Sequence, residues 1–377
     1  MVHQFNFPTL IRFGVGAINE LPDYLHHHQL RRPLIVTDTV VSGLPFFKKI
    51  IYQLEQKNIA AEVFNNIHKN PVKSDVYAGT EVYDEMGCDA VIGIGGGAAL
   101  DVARAVVLRV HHREDLFKYD DLIGGEVFIT GDVPHFITVP TTAGTGSEVG
   151  RSAIIAEDDT HKKRILFSPK LMAKIVFADP ELTYELPPAV TAATGMDALT
   201  HNMEAFLAKN YHPICEGIAL EGMRLIGISL KAAVKNPNPK NRSDMLLASM
   251  MGAIAFQKGL AWLILAHPLS SLLDMHHGLA NAINLPYGMR FNIQGNEEKF
   301  ARMAYALGLK EMDGEAVVKF LFELNSDIGI PLHLRNAGVK EEHLTTLAKL
   351  AYEDFAHPNN PKPVSEEDFL NLYRQAF

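Results

Sequence analysis

The run Ala90 to Ile94 (AVIGI), followed by Gly95-Gly96-Gly97 and an alanine-rich stretch from Ala98 to Arg109, constrains the fold most. Five consecutive apolar residues leave no polar face for water, so a strand made from them must be covered on both sides. The glycines then turn the chain straight into a predicted helix. Backbone N–H groups at a helix N-terminus, approached closely through glycine, suit a phosphate. The segment fits a loose G-x-G-x-x-A pattern from Gly93 to Ala98, which a tight strand-to-helix turn also fits. The same alternation runs through the first half. Pro33 to Val36 (PLIV) precedes Thr37-Asp38, and a helix is predicted over Phe46 to Lys57. A strand follows over Ala61 to Phe64 and a helix over Val76 to Met86. Strands alternating with helices predict an α/β layer with a mainly parallel sheet.

Past Leu186-Pro187-Pro188 the character changes. Helices are predicted over Thr191–Ala208, Ile214–Ala233, Arg242–Phe256 and Glu315–Asn325, with no β-branched runs between them. Residues 1–184 therefore read as an α/β domain and 185–377 as an all-helical one, two domains for a chain of 377 residues. The most apolar stretch, Gly259 to Leu273, carries His267 and Pro268 and falls short of the roughly 20 residues of a membrane span. It reads as a buried helix. Pro237–Arg242 and His357–Val364 read as surface loops.

A formal net charge of −9 argues against sequence-independent nucleic-acid binding, which needs a basic surface. Two cysteines, Cys88 and Cys215, cannot build a disulfide framework and lack a paired metal-ligand spacing, so a reducing, cytoplasmic setting is expected. The first residues, MVHQFNFPTL, lack the basic and apolar regions of a signal peptide.

Three groups could carry chemistry. PTTAGTGSEV, Pro140 to Val149, follows the strand-like HFITV and offers hydroxyls, with glycines that let backbone approach a ligand. Asp38, at the end of a predicted strand, could bind a ribose hydroxyl, although it lies upstream of the glycine turn and not about 20 residues after it. Asp197 and His201 stand at i and i+4 on one helix face, a spacing that can ligate a divalent ion or serve a cap and a buried histidine. His267, His276 and His277 lie in an apolar context, where each needs a hydrogen bond or a metal.

These segments resemble the iron-containing (group III) alcohol dehydrogenases, which include lactaldehyde reductases and 1,3-propanediol dehydrogenases. IGGGAALDVARA, PTTAGTGSEV, GMDALTH within a longer match, and HPLSSLLDMHHGLANAINLPYGMRFN carry the resemblance, the second and third being the most specific. It implies a dinucleotide-binding α/β domain and an all-helical domain in a dehydroquinate synthase-like architecture, with a divalent metal, Fe²⁺ or Zn²⁺, between them. It further implies a homodimer moving hydride between NAD and a small alcohol or aldehyde. Asp38 would contact the adenine ribose, favouring NAD over NADP. Gly96, Gly97 and Asp101 would hold the pyrophosphate and nicotinamide side. Thr141, Thr142 and Thr145 would line the cofactor cleft, with Asn70 and Lys163 as further cofactor contacts. Asp197, His201 and His277 match metal ligands, and His267 a catalytic histidine near the substrate.

The sequence departs from the pattern where the family has a fourth ligand. The histidine expected one turn before His267 is replaced by Leu263, and no other histidine lies between Phe256 and His267. Ala98 and Arg104 stand where serine and lysine are usual. A metal held by three protein ligands, a metal-free reductase, and an NAD-binding homologue without turnover all fit this departure. A glycerol dehydrogenase or dehydroquinate synthase-like activity is a further alternative.

Overall fold

The computed structural model describes residues 9–259, 263–354 and 359–377, with the backbone alone at Leu263. The chain forms two units: one of residues up to Thr142 with Ser147–Tyr184, the other of Ala143–Gly146 with Glu185–Phe377.

The first unit contains strands β1 (Leu10–Phe13), β2 (Pro33–Val36), β3 (Glu62–Phe64), β4 (Ala90–Gly95), β5 (His135–Pro140), β6 (Ser152–Ala156), β7 (Lys163–Phe167) and β8 (Ile175–Ala178). Its helices are α1 (Leu21–His27), α2 (Thr39–Gly43), α3 (Pro45–Gln56), α4 (Lys73–Glu85) and α5 (Gly97–His111). Six strands form a parallel sheet, as the sequence predicts, and their order is β1-β8-β5-β4-β2-β3. Every residue of β4 is buried, as a run without a polar face requires. Side chains alternate between two cores. Leu34, Val36, Val91 and Phe136 pack under Val76 of α4 and Val102 and Val106 of α5. Ile35, Ile92, Ile94 and Val139 pack on the opposite face under Leu21, Leu25, Phe47, Ile50 and Leu54. The antiparallel pair β6–β7 forms a separate two-stranded sheet that apolar patterning does not mark.

The chain leaves β2 through α3 on one face toward β3, and leaves β4 through α5 on the other face toward β5. The strand order thus reverses between β2 and β4. Ligands in open α/β sheets bind outside the carboxyl ends of the strands at such a point.

The second unit is helical: α6 (Pro188–Leu207), α7 (Pro213–Lys235), α8 (Pro239–Ala255), α9 (Ala266–Leu273), α10 (His277–Asn292), α11 (Glu297–Ala306), α12 (Gly314–Asp327), α13 (Leu344–Tyr352) and α14 (Glu366–Ala376). Nearly all of α6 beyond its first turn is buried, which makes it the central helix. Helix α10 contains Pro286, whose missing N–H leaves the carbonyl of Ala282 without its helical donor. Asn325 of α12 supplies one, with Nδ2 at 2.6 Å from that oxygen.

One loop expectation is corrected, and a second keeps its irregular backbone but buries two of its residues, Asn360 and Val364. Pro237–Arg242 opens α8: Asn238 caps it through the N–H of Asn241, and Pro239 takes the first helical position, where its missing N–H costs nothing. Within His357–Val364, residues 357 and 358 lie outside the described residues, and Asn360 is buried in a reciprocal amide pair with Asn292. Among the described residues of the apolar stretch from Gly259, an α-helix spans Ala266–Leu273, and Gly259 itself leaves the helical region at φ +124°; residues 260–262 lie outside the described set. Among the described residues no helix is long and apolar enough to cross a membrane. Cys88 and Cys215 are buried and unbridged.

Candidate active site

At the carboxyl edge of the sheet, Asp38 follows β2 and caps α2, its Oδ1 accepting from the N–H groups of Val40 and Val41 at 2.8 Å each. Gly95 ends β4 at φ +155°, and a Cβ there would come within 2.7 Å of Ala99 Cβ and 3.8 Å of Asp38 Oδ2. Asp38 and the glycine turn are therefore neighbours in space, although 57 residues of sequence, the difference of their numbers, separate them. Gly96 caps α5 without a side-chain hydrogen bond, so the first N–H groups of a 15-residue helix have no capping side chain. Thr141 donates its N–H to the carbonyl of Gly95 at 3.0 Å, and Thr142 packs on Gly96. Asp38, Gly96, Gly97, Thr141 and Thr142 thus converge where the strand order reverses.

The threonine loop differs from the sequence expectation in one respect. Gly144 and Gly146 serve close packing against protein. A Cβ on Gly144 would meet Thr194 of α6 at 2.9 Å, and one on Gly146, at φ +68°, would meet Ser249 O of α8 at 2.6 Å. Thr145, between them, is exposed. Ser147 and Glu148 are buried.

Ser147 belongs to a network centred on Arg104, whose guanidinium is fully buried. Arg104 donates to Asp101 Oδ1 (3.2 Å), Ser147 Oγ (3.0 Å) and the carbonyls of Ser147, Ser152 and Leu171. Asp101 also accepts from Ser147 Oγ at 2.7 Å and from the N–H of Ile154 at 3.0 Å. Burial pushes Asp101 up, against the opposing influence of Arg104, Ile154, Ser147 and Lys163. Lys163 begins β7 and acts on Asp101 through its charge, whereas Asn70 is exposed in the segment after β3. Both oxygens of Asp101 are engaged inside the protein, which the sequence did not reveal.

The helical unit assembles a second group. Asp197 and His201 share one face of α6, with His201 Nε2 3.4 Å from Asp197 Oδ1. His277, the first residue of α10, brings Nε2 to 3.8 Å from the same oxygen. A Cβ on Gly278 would lie 2.3 Å from the carbonyl of Ala193, so only glycine lets the start of α10 approach α6 so closely. Asn281, one turn further, donates Nδ2 to Asp197 Oδ1 at 2.7 Å and sits 3.2 Å from His277 Nε2. Nothing in the sequence pattern singled it out.

One ligand atom from each of Asp197, His201 and His277 lies within 4.8 Å of the others. A tetrahedral ion with bonds of about 2.0–2.1 Å spaces its ligand atoms roughly 3.3 Å apart. The observed 3.4 and 3.8 Å are close to that spacing. The charge states also suit an ion. Burial pushes Asp197 up, but the facing imidazoles and the Asn281 amide outweigh it and hold the carboxyl below its usual range. Burial pushes His201 down, which favours the neutral, ligating form. His201 Nδ1 is buried without a hydrogen-bond partner among the described residues. No fourth His, Cys, Asp or Glu joins the cluster among the described residues, and the Leu263 side chain lies outside them. His267 sits beside the group, its ring stacked on His277 with centroids 5.6 Å apart.

The chain matches the family model "Iron-containing alcohol dehydrogenase" over residues 8–180 and "Fe-containing alcohol dehydrogenase family, C-terminal" over residues 191–377. It is 35% identical to a 4-hydroxybutyrate dehydrogenase of Cupriavidus necator over 98% of both chains. A crystal structure of a 1,3-propanediol oxidoreductase superimposes with a TM-score of 0.94 at 33% identity, covering 100% of each chain. A sulfoacetaldehyde reductase from Bifidobacterium kashiwanohense, solved with NAD+, gives 0.89 at 27% identity over 100% and 99% of the two chains. Both halves match and the relatives align end to end, so the chain belongs to the iron-containing alcohol dehydrogenase family.

Proposed function

We propose that this protein is an NAD-dependent dehydrogenase of small alcohols, and reductase of the corresponding aldehydes, that uses a divalent metal ion. The observation that carries the reading is the Asp197–His201–His277 cluster, its first two members buried and its spacing and charge suited to an ion, in a chain of this family. An ion bound there supplies Lewis acidity, which polarises a substrate oxygen and lowers an alcohol's pKa. Asp197, His201 and His277 would hold it, and Asn281, which donates to Asp197 Oδ1, would orient that carboxylate.

The protein's own residues perform the remaining tasks. Asp38 would accept from the adenine ribose, its charge disfavouring a 2′-phosphate and hence NADP. The uncapped N–H groups around Gly96 and Gly97 would bind pyrophosphate. Thr141, Thr142 and Thr145 would orient the nicotinamide, with Asn70 and Lys163 as peripheral contacts. Asp101 would act through Ser147, fixing the exit of the threonine loop. His267 would exchange the hydroxyl proton with solvent. Hydride chemistry belongs to the nicotinamide.

NADH absorbance should rise when the protein meets NAD and 1,3-propanediol or 4-hydroxybutanoate in the presence of Fe²⁺ or Zn²⁺. The activity should vanish with a strong chelator. Absence of turnover with either alcohol and either metal would sink the reading. The leucine at position 263 favours one alternative, a metal-free reductase, which the assay would reveal as turnover indifferent to chelator.

A further inference from the structure

A carboxylate–histidine pair lies just outside the three-donor cluster. His267, the second residue of α9, brings Nδ1 to 2.7 Å from Oδ2 of Asp354, which follows α13. Both are largely withdrawn from water, with side chains 25% and 11% exposed. The His267 ring also stacks on His277 at an interplanar angle of 24°. The turn that carries it is held from a third side, where the buried hydroxyl of Tyr373 donates to the carbonyl of Leu265 at 2.9 Å. The ring is therefore fixed in position and in plane.

An ionised carboxylate only accepts hydrogen bonds, so the nitrogen facing it must carry a proton. In neutral His267 that nitrogen is Nδ1, and the lone pair belongs to Nε2. The other tautomer would set a lone pair against the carboxylate and present an N–H in place of an acceptor. In metal sites and catalytic dyads the group on one imidazole nitrogen determines what the other can do.

We propose that Asp354 is a positioning residue, whose carboxylate sets the tautomer and orientation of His267 so that Nε2 is the proton-accepting atom. The inference rests on the dehydrogenase reading above. During alcohol oxidation the O–H bond breaks and an N–H bond forms at Nε2. A bound nicotinamide would supply the acceptor for the C–H electron pair as hydride, so that C=O forms as the proton goes to Nε2. The imidazolium keeps its Nδ1 proton on Asp354 and returns the other to water. Aldehyde reduction runs these steps in reverse.

The variant Asp354→Asn discriminates this role from a structural one. It keeps the shape and a hydrogen bond, but its amide can donate to Nδ1 and thereby favour the Nε2–H tautomer. Its kcat should fall by about a hundredfold, within the span of general acid–base effects. NADH affinity and thermal midpoint should stay near wild type, and Asp354→Glu should recover part of the loss. Long-range ¹H–¹⁵N correlation of histidine-labelled protein, with His267 assigned by its absence in His267→Ala, should show Nδ1–H in wild type and Nε2–H in Asp354→Asn. The proposal is overturned if wild-type His267 carries its proton on Nε2, or if Asp354→Asn keeps kcat within about threefold. Should the wild type prove inactive on every alcohol, the dehydrogenase reading fails, and the tautomer pattern still decides whether Asp354 sets His267.

Discussion

Glu148 shows how far one residue can depart from its appearance in the sequence. In PTTAGTGSEV it stands among hydroxyls and glycines, yet it is buried, with Oε1 lacking a partner among the described residues. Burial pushes its carboxyl up to about 7, against the nearby charge of Arg104. An acid whose folded pKa exceeds its unfolded value of about 4.5 binds its proton more tightly in the folded state. Its contribution to stability is then complete below about pH 4.5 and is lost as pH rises through about 7, a span worth roughly 3 kcal/mol. Glu148→Gln removes that dependence. Relative to wild type, the Gln variant should gain stability between about pH 5 and about pH 8, read by urea denaturation. A constant difference across that range would show that Glu148 is ionised throughout.

At the scale of elements, the contrast between strands and helices was legible where period and punctuation agreed. AVIGI with its glycine turn, PLIV before Asp38 and the long helices past Leu186 all follow from apolar patterning. The β6–β7 pair did not stand out, because Ser152–Ala156 and Lys163–Phe167 mix polar and apolar residues and satisfy each other locally. The start of α8 has the composition of a loop because proline and asparagine are turn residues, and the same residues are also helix starters. Helix α10 shows a compensation that patterning cannot reveal: Pro286 orphans the carbonyl of Ala282, and Asn325, 43 residues away, repairs it. Asn325→Leu should cost about 1–3 kcal/mol, the price of a buried unsatisfied carbonyl. Pro286→Ala restores a helical donor, so the cost of Asn325→Leu should shrink in that background, as a double-mutant cycle would record. Equal costs in both backgrounds would refute the compensation.

At the scale of the whole molecule, an α/β unit and a helical unit each concentrate their chemistry at one place. In the first, Asp38, the glycine turn and Thr141–Thr142 meet at the reversal of strand order, which follows from the topology once β2, β4 and β5 are recognised. In the second, i and i+4 spacing put Asp197 and His201 together in advance, whereas the approach of His277 required Gly278 against α6. Asn281 and Asp354 were invisible in the sequence because their partners, Asp197 and His267, lie 84 and 87 residues away. Three protein ligands should suffice to hold a metal ion in this member of the family. Elemental analysis of protein incubated with Fe²⁺ or Zn²⁺ and freed of unbound ion, with Asp197→Ala alongside, tests this. About one equivalent per chain is expected in the wild type and almost none in the variant. Less than about a tenth of an equivalent in the wild type, or equal amounts in both proteins, would contradict it.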